Sequence, residues 1–245
     1  MRRYAPRPSS LTYAFGPGPV SLAVKWIIIA NIAMFLATLL YNPIVEYLGL
    51  MPARVVESGW IWQLATYMFL HGGAVHILFN MLGIWMFGTE LERLWGTRFF
   101  LRFYAITGVG AGLTVLAVGL LPFTATEPTY MSITIGASGA LYGLLMAFAM
   151  YYPDRPILMF LLFPVPAKYF VIIIGALAFM AGPGGEISNA AHLGGLIFAY
   201  FYLKGGRGGF SAEIKYRYLK WKMNRLRRKF DVYSGGRSDW DRHVH

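Results

Sequence analysis

Long apolar runs, separated by short polar or Pro/Gly-containing stretches, leave this chain few possible folds. Leu22–Leu40 is long enough to cross a bilayer as one helix, since about twenty apolar residues span the hydrocarbon core. Backbone groups in lipid must be satisfied within the spanning structure, which allows only helices or closed barrels. A barrel would alternate apolar and polar residues, whereas these runs are continuous. Composition agrees. Of the 245 residues, 57% are hydrophobic and 13% charged, against roughly a quarter charged in a soluble domain. The expected fold class is an all-α, polytopic membrane protein.

Residues 1–21 form a basic, Pro/Gly-containing N-terminal tail. Its mostly polar character ahead of Leu22–Leu40 argues against a cleaved signal peptide, so the first run is expected to remain as a span. Tyr41–Phe69 reads as a loop with amphipathic pieces in the outer interface. Gly73–Thr89 is the second span, Glu90–Arg98 a charged connection, Phe99–Leu121 the third span and Gly136–Tyr152 the fourth. Ile157–Phe163 is apolar but short and bounded by prolines. It reads as an interfacial turn ahead of a short fifth span at Tyr169–Ala181, with a single kinked span as the alternative. Gly182–Ile187 is a loop and Ser188–Leu203 the sixth span. The expected domains are therefore a membrane bundle over 22–204 and a tail over 205–245, with a Gly-rich linker and a basic aromatic helix at Lys215–Phe230.

The net charge of +11 sits beside the spans rather than on a nucleic-acid-binding face. The N-terminal tail, the 90–98 and 153–168 loops and the C-terminal tail carry nearly all the Lys and Arg, while the other loops carry only Arg54. By the positive-inside rule, both termini of a six-span chain are expected in the cytoplasm. The basic C-terminal tail suits anionic lipid, and no nucleic acid partner is expected. The absence of cysteine excludes disulfides and thiolate catalysis. No cofactor or metal is implied: His71 and His76 do not form an HExxH zinc pattern.

Helix rise places four polar residues in one layer. Ser138 lies fifteen residues from Pro153, His192 twelve from Lys204, and His76 and Asn80 fourteen and ten from Glu90. At about 1.5 Å per residue these are depths of roughly 22, 18, 21 and 15 Å above the inner boundary. Ionisable groups inside a membrane point to function, and a hydroxyl with an imidazole are the minimum parts of nucleophilic catalysis. Small residues let helices approach closely: Gly139 and Gly143 on the fourth span, Ala191, Gly195 and Ala199 on the sixth. Tyr142, one turn below Ser138, shares its face. His76, Asn80 and the Ser138 backbone N–H supply donors for a developing oxyanion. The aspartates all fall in cytoplasmic segments, leaving a Ser–His dyad rather than a triad.

With these residues assembled, the chain resembles the rhomboid family of intramembrane serine proteases. The resemblance rests on His76-Ile77-Leu78-Phe79-Asn80 in the second span, Gly136-Ala137-Ser138-Gly139 opening the fourth and Ala191-His192-Leu193-Gly194-Gly195 opening the sixth. Glu92 and Gly96 fit the family's charged turn. Each motif alone is weak; the three together over residues 22–204 are specific. The resemblance implies a six-helix bundle with Ser138 as nucleophile and His192 as general base and acid. It also implies His76 and Asn80 at the oxyanion, Tyr142 orienting His192, and a substrate that is itself a transmembrane helix. The fifth span and the Gly182–Ile187 loop would form a movable gate. The family's Trp-Arg pair in the first loop is absent, since neither Trp60 nor Trp62 is followed by arginine.

Plainer readings stand beside these. A serine in such a run packs helices, a buried histidine often bonds a neighbouring helix, and Tyr142 suits a core. Ala140 replaces the last glycine of a nucleophile elbow, so a soluble α/β-hydrolase is not supported. A catalytically dead client-binding relative and a transporter are the other classes; a transporter would show internal repeats with broken helices. A prokaryotic inner membrane suits the chain, with an organelle membrane as the alternative.

Overall fold

The computed structural model describes residues 17–124, 126–159, 162–180 and 189–205. Helix α1 (Leu22–Leu40) is followed by short helices α2 (Pro43–Leu48), α3 (Pro52–Ser58) and α4 (Gln63–Thr66), the last running into a 3-10 turn at Tyr67–Phe69. Helix α5 (Ala74–Gly83) continues through a π-helical stretch at Ile84–Gly88 into α6 (Thr89–Trp95). Then come α7 (Thr97–Gly119), α8 (Glu127–Met131) and α9 (Ser138–Tyr151). A hairpin of β1 (Pro156–Met159) and β2 (Phe163–Pro166) leads to α10 (Ala167–Met180), and α11 is Asn189–Gly205. Chain packing divides after Tyr202.

Among the described residues, Leu22–Leu40, Ala74–Trp95 and Thr97–Gly119 are long and apolar enough to cross a membrane. Ser138–Tyr151 and Ala167–Met180 are shorter apolar helices. Each segment read from the sequence as a span carries a helix, and α1 has the expected bounds. The second helix runs further than expected: Glu90–Trp95 belongs to it, and the turn comes at Gly96, whose φ of 78° suits glycine. The all-α reading needs one correction. Pro156–Met159 and Phe163–Pro166 pair as antiparallel strands ahead of α10, because Pro156, Pro164 and Pro166 forbid a continuous helix there. Gly182–Ile187 and Lys215–Phe230 lie outside the described residues.

Two long-range connections give the bundle its order. The first is at the foot of α1. The Glu92 carboxylate, 4% exposed, accepts the backbone N–H groups of Ala23 at 3.0 Å and Val24 at 3.1 Å. It also accepts the Ser21 hydroxyl and, at 2.7 Å, that of Thr97. The first N–H groups of a helix have no partner within it; here a carboxylate from α6 supplies one, with the favourable sign for the helix dipole. Arg93 donates to the Pro17 and Pro19 carbonyls beside it.

The second connection ties the segment between α1 and α5 to the segment between α7 and α9. Leu50 N–H donates to Thr134 O at 2.9 Å and Thr134 N–H to Leu50 O at 2.8 Å. Gly136 N–H donates to Tyr67 O at 2.9 Å. Fully buried Gln63 organises the first loop, accepting Met51 N–H and donating to the Glu46 and Tyr47 carbonyls. The Arg54 guanidinium stacks 4.9 Å above Trp60, whose ring in turn stacks on Trp62. A tryptophan–arginine pair thus forms in space although the two are not adjacent in sequence.

Candidate active site

Ser138 opens α9, and the chain enters it through Gly136 at φ 122°, a conformation side chains rarely adopt. Gly136 also has no room for a side chain. A Cβ there would sit 2.9 Å from His76 Nε2 and 3.7 Å from Ser138 Oγ. The glycine therefore lets the His76 ring and the Ser138 hydroxyl border one space.

Helices α9 and α11 meet almost backbone to backbone. A Cβ on Gly195 would lie 1.9 Å from the Gly139 carbonyl oxygen. One on Gly139 would lie 2.6 Å from Ala111 Cβ on α7 and 3.4 Å from Ala191 O. The expected small-residue faces do meet, and α7 closes the third side. This approach brings Ser138 Oγ to 2.8 Å from His192 Nε2. The His192 ring is 7% exposed and stacks on Tyr142, with centroids 4.0 Å apart and planes 5° from parallel.

The four polar residues line one cavity of about 910 Å³. Ser138, His192, His76 and Asn80 contribute to it, with Tyr142, Phe79, Ile135 and Leu141 among the apolar wall. Among the described residues, neither aspartate nor glutamate lines it. Gly72 N–H donates to His76 Nδ1 at 3.4 Å, which in the neutral ring leaves the proton on Nε2, the nitrogen that faces Gly136. Asn80 Nδ2 donates to the His76 carbonyl at 2.9 Å, so its second N–H is the one available to the cavity.

Sequence reasoning missed several supports. The Tyr67 hydroxyl donates to Gly108 O at 2.8 Å, while its carbonyl holds Gly136. The buried His71 ring packs edge-on against His76 at 5.0 Å. Tyr67 lies in the mixed Tyr41–Phe69 stretch, and in the sequence His71 stands out only as a candidate metal ligand.

The fold and site define a helical membrane protein with a hydrogen-bonded Ser–His pair in a cavity between helices. The Rhomboid domain model matches residues 58–206, and the chain belongs to the rhomboid family. It is similar to RHOMBOID-like protein 5 of Arabidopsis thaliana, 30% identical over 161 residues covering 65% of this chain and 48% of the relative. It is also similar to rhomboid protease GluP of Bacillus subtilis (strain 168), 33% identical with coverages of 60% and 26%. Against rhomboid protease AarA of Providencia stuartii it is 27% identical over 201 residues, 75% of this chain and 71% of the relative. The chain spans less than half the length of the first two relatives.

Proposed function

We propose that the chain is an intramembrane serine endopeptidase that cuts other membrane proteins in or near their transmembrane helices. The observation that carries this is the 2.8 Å contact between Ser138 Oγ and His192 Nε2 in a rhomboid-family membrane chain. Ser138 Oγ attacks the scissile carbonyl carbon as its proton passes to His192 Nε2. The carbonyl oxygen becomes an oxyanion, stabilised by His76 Nε2–H, the second Asn80 N–H and the Ser138 backbone N–H. His192 then protonates the leaving amine as the carbon–nitrogen bond breaks and an acyl-enzyme forms. Water enters the cavity, gives a proton to His192 and attacks the ester, and return of that proton to Ser138 frees the enzyme. The Tyr142 stack holds the imidazole ring in the plane this transfer needs.

Six spans with both termini in the cytoplasm of a prokaryotic inner membrane fit this reading. Helix α9 has 14 residues, a length of about 21 Å against a core of about 30 Å. With its foot at the inner boundary, Ser138 lies below the outer surface yet open to water. The bundle over 22–204 carries the chemistry, and the basic tail over 205–245 rests on anionic lipid.

The test is labelling of purified protein with a fluorophosphonate probe, beside Ser138→Ala and His192→Ala. Labelling of the wild type that is lost in both variants is the expected result. Labelling that persists in Ser138→Ala removes that serine from the mechanism.

A further inference from the structure

The hairpin β1–β2 follows the foot of α9, whose last residue, Tyr151, lies thirteen residues from Ser138, or about 20 Å along the helix. Its register pairs Pro156 with Pro166, Ile157 with Val165, Leu158 with Pro164 and Met159 with Phe163. Proline cannot donate, so the ladder bonds run through the Ile157/Val165 and Met159/Phe163 pairs. The next bond on this ladder, Ala167 N–H to Arg155 O at 2.9 Å, fits that register. Residues 156, 158, 164 and 166 therefore turn their backbone groups outward, and three of those four are proline. Only Leu158 keeps an outward N–H. With one donor among four outward positions, these edges are poor templates for another strand.

The side chains are apolar. Ile157 is buried, while Leu158, Leu162 and Phe163 are exposed at 45%, 71% and 59%. That surface runs on into α10, where Tyr169 and Ile172 are also exposed. The adjoining charges are mutually satisfied: Arg155 pairs with Glu90 at 2.8 Å and Lys168 with Asp154 at 2.7 Å.

We infer that this hairpin is a lipid-docking element, lying in the headgroup–acyl boundary of the leaflet remote from Ser138. Three observations select lipid over a protein partner: the blunted edges, the continuity with the apolar face of α10, and the neutralised charges at the base. The outward carbonyls set the depth. They need water, so the strands stay at the interface while Leu158, Leu162 and Phe163 reach into the acyl region.

The chain has no cysteine, so a single reporter can be placed cleanly. Leu162→Cys and, separately, Leu158→Cys are labelled with the fluorophore NBD and reconstituted at several protein-to-lipid ratios in phosphatidylcholine vesicles, with and without bromine on the upper acyl chain. The expected result is blue-shifted emission that falls in brominated lipid, resists aqueous iodide and does not change on dilution in lipid. Iodide quenching without bromolipid quenching at both positions would overturn the inference. So would a bromine-insensitive blue shift that fades on dilution, which would assign the surface to a second copy of this chain.

Discussion

Gly195 and Gly139 touch through their backbones, with a Cβ on Gly195 falling 1.9 Å from the Gly139 carbonyl oxygen. The Ser138–His192 hydrogen bond depends on this approach. Gly195→Val forces the helices apart, and overpacking of this kind costs about 1–3 kcal/mol. The loss of fluorophosphonate labelling should exceed what the unfolded fraction explains, because separation breaks the pair before the bundle unfolds. Thermal unfolding and labelling measured on the same preparation check this; labelling that falls only in step with folding would count against it.

Tyr142 contributes its ring rather than its hydroxyl, since its contact with His192 is a parallel stack at 4.0 Å. Tyr142→Phe should keep near-wild-type cleavage. Tyr142→Ala should lower kcat by roughly two- to tenfold, the worth of one aromatic pair. Steady-state cleavage of a transmembrane reporter decides, and a large loss in the Phe variant would point to the hydroxyl instead.

Asn80 has one N–H committed to the His76 carbonyl and one to offer an oxyanion. Asn80→Ala should reduce kcat by at most about 100- to 1,000-fold, because other donors remain. KM should change little, since the interaction strengthens in the transition state. A rate unchanged by this substitution would exclude Asn80 from oxyanion stabilisation.

Glu92 acts on stability rather than chemistry. It lies sixteen residues beyond His76 on one continuous helix, about 24 Å away. Glu92→Gln sets an amide NH2 against the Ala23 and Val24 N–H groups and should cost about 1–3 kcal/mol. The unfolding midpoint should drop while labelling per folded molecule holds. A chemical defect at unchanged stability would contradict this division.

The parts of the fold that depend on local pattern were legible. The bounds of α1 follow from its apolar run, and small residues at four-residue spacing on the fourth and sixth spans point to the close approach that Gly139 and Gly195 make. What escaped was non-local. Nothing in the sequence near Leu50 or Thr134 announces that they bond each other, or that Tyr67 holds Gly136. Glu92 is legible as part of a charged turn but not as a helix cap, because its partners Ala23 and Val24 lie far away in the chain. The hairpin was half legible: prolines marked a break, but strand pairing depends on register across residues 156–166. Arg54 and Trp60 show the converse, a pairing that adjacency in the sequence does not provide.

The cap on α1 also fixes an order of assembly. Its acceptor lies 69 residues downstream of Ala23, so while the first helix is being synthesised the group that completes its start does not yet exist. Until α6 emerges, water and headgroups must serve the Ala23 and Val24 N–H groups. Arrival of Glu92 and Arg93 together then displaces that solvent and locks the foot of the first helix to the second. Among the contacts open to each molecule while Ser138 and His192 are still untranslated is therefore one that joins its first two long apolar helices.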